Sequence, residues 1–393
     1  MNNKKYVKRI TEKELQQAAK EFPILVLTGP RQTGKSTLLK TIFNDYKYQT
    51  LDDPTIREIA IKDPLSFLSG KEKLIIDEIQ YLPSLLPYIK MEVDKDRSKN
   101  GRFLLTGSQY FPLMAGLTES LAGRVAIFEL LGFSTEEIFN KDILSDIDSC
   151  FKIIYKGTFP EIVVHNINYN RFYSSYLQTY LERDIRQISS IHDLNLFQTF
   201  LELLAARVGS LLNLSEISKE CGISHSTAQK WLSLLETTRI VYLLRPYYKN
   251  ISKRVIKSPK LYFADTGLLS YILRFQSPKN LEKSSYSGAF FENFVILEFL
   301  KYKLNHNKNY ELYFFRDSHH NEIDLIIDQG QTFNLVEIKK TATIKPIHFK
   351  QIKNSRDLFK NSRSYIVSFS HSNYEFDNIK SILWSNWKEL LIS

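Results

Sequence analysis

Between residues 24 and 139 short apolar runs alternate with stretches whose apolar positions recur every three to four residues. An unbroken apolar run of four or five residues suits a strand buried on both faces, and the helical period suits the elements that cover it. The pattern predicts strands at 24–27, 48–51, 74–76, 102–105 and 125–129 in a parallel sheet flanked by helices. Residues 141–200 read as mostly helical, with an amphipathic stretch at 172–186, and predict a helical lid or connector. The order then changes at 201–248. A helix is followed by a second at 214–219, a Cys221-Gly222-Ile223-Ser224 turn, a third at 225–236 and a strand at 240–244. Ser215, Ile217, Cys221, Ile223, Ala228, Trp231, Leu232 and Leu235 fall at helical spacing, as the facing sides of two packed helices require. A helix-turn-helix with a wing-like hairpin is expected. Beyond residue 288 a mixed pattern predicts a helix at 290–302 and strands at 312–315, 322–327, 335–338 and 364–368.

Composition narrows the classes. The 393 residues are 43% hydrophobic and 24% charged with 14 Gly and 12 Pro, a globular composition with room for two or three cores. No apolar stretch reaches membrane-spanning length and no apolar run follows the charged start, so neither secretion nor membrane insertion is expected. Cys150 and Cys221 stand far apart without zinc spacing and read as reduced thiols of a cytoplasmic protein. The net charge of +10 lies mostly after residue 140. A basic patch there would attract phosphate backbone.

Gly29-Pro30-Arg31-Gln32-Thr33-Gly34-Lys35-Ser36, followed by Thr37, is a complete phosphate-binding loop between a predicted strand and helix. Its amides would face a nucleotide phosphate, Lys35 would supply charge to the β- and γ-phosphates, and Ser36 would offer a hydroxyl to Mg2+. The apolar run 74–76 ends in Asp77 and Glu78. Asp77 would hold Mg2+, and Glu78 would polarise the attacking water. Thr106 and Ser108, after the strand at 102–105, would face the γ-phosphate. Arg124 is a candidate arginine finger, which acting from a neighbouring subunit would require a homo-oligomer.

These motifs, with Leu51-Asp52-Asp53-Pro54, Ile76-Asp77-Glu78-Ile79-Gln80, Leu105-Thr106-Gly107-Ser108-Gln109 and Leu121-Ala122-Gly123-Arg124, resemble the AAA-like ATPases fused to a C-terminal domain of unknown function. Tyr180-Leu181-Glu182-Arg183-Asp184-Ile185 and Leu261-Tyr262-Phe263-Ala264-Asp265-Thr266-Gly267-Leu268 extend the resemblance over most of the chain. It implies a bacterial or archaeal cytoplasmic ATPase using ATP and Mg2+, and a restriction-endonuclease-like C-terminal fold. The expected class is α/β: a parallel P-loop sheet at 1–140, a helical connector at 141–200, a winged helix-turn-helix at 201–260 and a PD-(D/E)xK nuclease-like domain at 261–393.

Two further constellations bear on partners. The third helix of the middle segment would expose His225, Ser226, Thr227, Gln229 and Lys230, and residues 245–260 carry six basic side chains with Tyr247 and Tyr248. Basic charge interleaved with aromatics suits DNA. In the last segment Asp324 precedes Glu337-Ile338-Lys339, and Glu292 lies on the helix before them. Alternation along a strand puts Glu337 and Lys339 on one face, so Glu292, Asp324, Glu337 and Lys339 could form a metal-dependent nuclease site or a structural ion cluster in a retained fold. Three functions stay open at this point: an ATP-driven switch acting on DNA, an ATP-gated nuclease, and a switch that binds a protein partner.

Overall fold

Five strands, β1 (Ile24–Thr28), β2 (Lys47–Thr50), β3 (Leu74–Asp77), β4 (Phe103–Gly107) and β5 (Val125–Glu129), form an all-parallel sheet in the order β2-β3-β4-β1-β5. The period-two rule explains how an unbroken apolar run serves both faces. Ile24, Val26, Leu74, Ile76, Phe103 and Leu105 point into one core. Leu25, Leu27, Ile75 and Leu104 point into the other, against Leu15 and Ala18 of helix α1 (Glu12–Glu21) and Leu38 and Leu39 of α2 (Lys35–Ile42). The predicted strands are all present, with ends differing by one or two residues.

The computed structural model describes residues 6–108, 121–139, 145–180, 193–248, 257–372 and 374–392. The chain divides into two units, the first of residues 1–133 with 237–239 and 304–307, the second of 134–236, 240–303 and 308–393. Apart from 237–239 and 304–307, the second unit takes in what the sequence pattern separates into connector, helix-turn-helix and terminal segments. The amphipathic stretch at 172–186 is helical as far as Tyr180; its remainder lies outside the described residues.

The second unit opens with helices α3 (Ile147–Lys156) and α4 (Tyr169–Tyr180) and continues with α5 (Leu194–Ala205), α6 (Leu214–Cys221) and α7 (His225–Thr237). Gly222, at φ 70°, ends α6 in the left-handed conformation and turns the chain into α7. A hairpin follows, β6 (Val241–Pro246) against β7 (Lys260–Phe263). Next come α8 (Thr266–Ile272) and α9 (Ser287–Asn305), and then β8 (Glu311–Arg316), β9 (Glu322–Asp328), β10 (Phe333–Ile338), β11 (Ser362–Ser368), β12 (Glu375–Phe376) and β13 (Ile379–Leu383).

The hairpin is part of a larger sheet. The last residues of β6 pair in parallel with β8, Arg245 opposite Tyr313 and Pro246 opposite Phe314, which gives an eight-stranded order β12-β13-β11-β10-β9-β8-β6-β7. One hydrophobic core runs from Cys150 through Trp231 to Leu390. α9 buries Phe290, Phe291, Phe294 and Phe299 in this core and carries the polar side chains Glu292, Asn293, Glu298 and Lys301 among them. Its Asn293 side chain pairs with both backbone groups of Phe263, at 2.9 Å each, and so ties the helix to β7. Cys150 and Cys221 are both buried and free. Among the described residues no helix is long and apolar enough to cross a membrane.

A buried carboxylate organises the middle of this unit. Asp265 caps α8 by accepting from the Leu268 amide at 2.8 Å, and it accepts the Tyr173 hydroxyl at 2.6 Å and the Thr158 amide at 2.9 Å. A Cβ on Gly267 would fall 2.3 Å from the Tyr173 hydroxyl, so only glycine lets α8 approach this closely. The Ala264-Asp265-Thr266-Gly267 motif is therefore explained by packing. Asp265→Ala is expected to leave the Leu268 and Thr158 amides without this acceptor, with the Tyr173 hydroxyl keeping the Lys156 carbonyl at 3.0 Å, and to lower the unfolding free energy of this unit by about 3 kcal/mol. Urea denaturation followed by far-UV circular dichroism checks this, and an unchanged midpoint would count against the hub.

Candidate functional site

Because the strands of the first sheet run in parallel, their carboxyl ends share one edge, and the sequence-predicted residues gather there. Gly29 to Gly34 connect β1 to α2. Gly29, at φ 136°, lies so close to the chain leaving β5 that a Cβ would meet the Leu130 carbonyl oxygen at 2.1 Å. Gly34, at φ 88°, is the residue from which α2 begins. Both positions forbid a side chain for different reasons, one steric and one torsional.

Within the loop the Thr33 hydroxyl donates to the Pro30 carbonyl at 2.9 Å, and the Lys35 ammonium donates to the carbonyls of Gly29 at 2.9 Å and Pro30 at 2.7 Å. Arg31 reaches the Tyr81 hydroxyl at 3.2 Å. Gln32 takes a left-handed φ of 61° at the exposed tip, and Thr37 is exposed in the first turn of α2.

Asp77, buried at the end of β3, is the point on which neighbouring elements converge. The Ser36 hydroxyl donates to Oδ1 at 2.7 Å from α2, the Thr106 hydroxyl donates to the same oxygen from β4, and the Tyr48 hydroxyl donates to Oδ2 at 2.6 Å from β2. Burial and then the hydrogen bond to Asp77 push the Tyr48 phenol well above its ordinary pKa, so it remains a donor. Glu78 follows in a left-handed conformation, φ 59°, with its amide 3.1 Å from the Thr106 hydroxyl. Its carboxylate accepts from the Gln80 amide nitrogen, which also lies 3.0 Å from the Ser108 hydroxyl.

Arg124 is not brought to this edge. It precedes β5 at the opposite end of the sheet, beside Ile24, and its guanidinium forks onto the Asp94 carboxylate at 2.8 and 3.1 Å. Three residues to which the sequence assigns no role are part of the site. Tyr48 and Gln80 hold the two acids, and Arg9, 3% exposed, donates to the Thr33 carbonyl at 3.1 Å and the Leu131 carbonyl at 2.9 Å while stacking on Phe133. A lone arginine before a helix carries no sequence signal for this role.

In the second unit Glu292, Asp324, Glu337 and Lys339 also come together, with company that the spacing did not show. The Lys339 ammonium lies 2.6 Å from Glu337 and 3.5 Å from Asp324. Lys260 from β7 lies 2.9 Å from Glu292, 2.5 Å from Glu322 and 3.6 Å from Asp324, and the Tyr262 hydroxyl also donates to Glu292. The charges of Lys339 and Lys260, with the Ile338 amide, outweigh burial and hold Asp324 below its ordinary pKa. Burial, with the neighbouring Asp324 charge, pushes Glu337 up to about 8. His319 and His320 lie in the turn before this strand.

The basic run at 245–260 is smaller than its composition suggests. Lys260 is buried in the ion cluster, Arg245 pairs with Glu236 at 2.7 Å, and Tyr247 packs among Tyr313, Phe333 and Phe359. Alternation within β7 and the sheet that receives β6 turn Lys260 and Tyr247 away from solvent, while Arg245 stays exposed beside Glu236. Tyr248 and Lys257 are exposed, and Lys249, Lys253 and Arg254 lie outside the described residues. On α7, His225, Ser226, Gln229 and Lys230 are exposed and Thr227 is half-buried.

Residues 21–139 match the family model of an AAA domain. Residues 147–279 and 287–387 match two domains of unknown function, DUF8612 and DUF4143. The uncharacterized protein Rv2008c of Mycobacterium tuberculosis is 32% identical over 334 residues, 84% of this chain and 73% of that protein, and the uncharacterized protein Mb2031c of Mycobacterium bovis gives the same values. Among solved structures, the Walker-type ATPase PABY2304 of Pyrococcus abyssi is 17% identical, with 67% of this chain and 95% of that one covered at a TM-score of 0.47.

The Glu337 position predicts a pH dependence. A carboxyl with a folded pKa of about 8 and an ordinary value of 4.5 binds its proton more tightly when folded. Its contribution to stability is complete below pH 4.5 and is lost as the pH rises through 8. The wild-type protein should therefore lose stability relative to Glu337→Gln between pH 5 and 8, by up to about 1.4 kcal/mol per pH unit. Parallel urea titrations across that range decide it, and a constant difference between the two proteins would refute the shift.

Proposed function

The chain belongs to the same family as the mycobacterial uncharacterized proteins Rv2008c and Mb2031c, its first unit carries an AAA domain, and we propose that it is a magnesium-dependent ATPase that acts on DNA. The observation that carries the reading is the 2.7 Å hydrogen bond from the Ser36 hydroxyl to the Asp77 carboxylate. A hydroxyl at the start of a helix and a carboxylate at the end of the neighbouring strand stand together at the mouth of the phosphate loop. Hard oxygen donors of this kind suit Mg2+.

The residues fit a triphosphate with its ion. Bound Mg2+ would neutralise phosphate charge and orient the terminal phosphate. Gly29 to Lys35 would present backbone amides to the phosphates, and α2 would add the positive end of its dipole. The Lys35 ammonium would swing from the Gly29 and Pro30 carbonyls to the phosphate oxygens. Thr106 and Tyr48 would hold Asp77 in place, and Ser108 would sit beside the terminal phosphate. Glu78, released from Gln80, would accept a proton from the attacking water. Arg124 could serve as an arginine finger only when supplied by a second copy.

Support for DNA as partner comes from the helix order of α5, α6 and α7 followed by the β6–β7 hairpin, from the exposed His225, Ser226, Gln229 and Lys230, and from the surplus of basic residues after position 140. These groups suit phosphates and base edges. ATP turnover would then shift the population between states with different hold on the duplex.

Lys35→Ala is expected to abolish ATP binding measured by calorimetry. Glu78→Gln should retain binding and lower turnover by about 10²- to 10⁴-fold; equal turnover would remove Glu78 from the mechanism. Duplex DNA should stimulate wild-type phosphate release. Lys230→Ala with Lys257→Ala should weaken DNA affinity and make its slope against log salt shallower by about one for each phosphate the protein no longer neutralises. DNA binding with no salt dependence, or none at all, would transfer the partner role to a protein.

A further inference from the structure

The resemblance to PD-(D/E)xK nucleases implies a divalent ion between Asp324, Glu337 and Glu292, and the residues present do not fit one. Lys260 projects from β7 into the carboxylates and is 2% exposed. Its ammonium lies 2.9 Å from Glu292 Oε1, 2.5 Å from Glu322 Oε1 and 3.6 Å from Asp324 Oδ1. The ammonium thus hydrogen-bonds Glu292 and stands within ion-pair reach of Glu322 and Asp324. A divalent ion ligated by Glu292 and Asp324 would have to stand within about 2.6 Å of their oxygens. That volume is the one the ammonium fills.

The surroundings fix the lysine there. Tyr262, two residues along the same strand, donates to the same Glu292 oxygen, and Arg316 takes the other oxygen of Glu322 at 2.9 Å. Asp324 Oδ2 accepts the Ile338 amide at 2.9 Å and lies 3.5 Å from Lys339. Lys339 in turn lies 2.6 Å from Glu337. The cluster alternates in charge, with Arg316, Lys260 and Lys339 set among Glu322, Glu292 and Asp324, and with Glu337 at its end held toward the protonated form. A divalent ion entering it would meet the buried Lys260 ammonium and the half-buried Lys339, and would gain one buried carboxylate oxygen without a hydrogen-bond partner, Glu337 Oε2.

We propose that Lys260 is the resident cation of this pocket, holding the position a divalent ion would need, so that the second unit carries a lysine-closed ion network and does not cleave phosphodiesters with a metal. Removing the ammonium converts the network into a cation site: Lys260→Met leaves Glu292, Glu322 and Asp324 around a space of oxygen-ligand character.

Mn2+ binding to the full chain, followed by electron paramagnetic resonance without nucleotide and in an Asp77→Asn background that silences the loop, tests this. Wild-type Lys260 should give no uptake that depends on Asp324, Lys260→Met should gain about one Mn2+ per chain, and adding Asp324→Asn should abolish the gain. Mn2+ uptake by the Lys260 protein that is lost in Asp324→Asn would overturn the proposal, as would a folded Lys260→Met that takes up none. Should Lys260→Met not fold, Lys260→Gln, which keeps a polar group of similar length, takes its place with the same expected gain. Plasmid cleavage by the wild-type chain in Mg2+ or Mn2+ that disappears in Asp324→Asn would also overturn it; no cleavage is expected.

Discussion

Strands that all run one way leave their carboxyl ends on a single edge, and the organisation of the first unit follows from that constraint. β1, β3 and β4 deliver the phosphate loop, Asp77 with Glu78, and Thr106 with Ser108 to adjoining places because their neighbours are in parallel register. Asp77 then serves as the joint, since its two oxygens accept hydroxyls from a helix and two different strands. A carboxylate buried without such donors would be costly, so the hydroxyls of Ser36, Tyr48 and Thr106 stabilise it as much as it positions them.

The two units handle buried acid in opposite ways. Around Asp77 the donors shown are neutral hydroxyls, which leave the negative charge in place for a cation to meet. Around Asp324 a backbone amide donates and two lysines stand at ion-pair distance, so the charge is already countered. The same letters, an acid at a strand end with polar neighbours, therefore describe an open site in one case and a closed one in the other. Sequence spacing does not distinguish them because the deciding side chain, Lys260, comes from a strand more than sixty residues away.

Much of the first site was legible because its chemistry is local. A glycine-bounded loop between an apolar run and a helix needs only about a dozen consecutive residues, and the apolar run that ends in Asp77 and Glu78 needs only a handful. The strands of the core were legible for the same reason, since Ile24, Val26 and their out-of-phase neighbours Leu25 and Leu27 each had a core to fill. What escaped depends on distant partners. β7 reads as part of a basic linker until β6 and α9 stand beside it, and then Lys260 and Tyr262 share one buried face. Arg9 and Tyr48 are ordinary letters whose meaning lies in the Thr33 carbonyl and the Asp77 carboxylate. β12 and β13 are short and partly polar, and they form only because β11 offers an edge.

The near contact between Gly29 and the Leu130 carbonyl has a mechanical reading. The backbone that forms the rear wall of the phosphate cradle is the same backbone by which the chain departs from the first unit, and Arg9 rivets the two together through Thr33 and Leu131. A side chain at position 29 would therefore have to displace the phosphate loop and the backbone at Leu130 together.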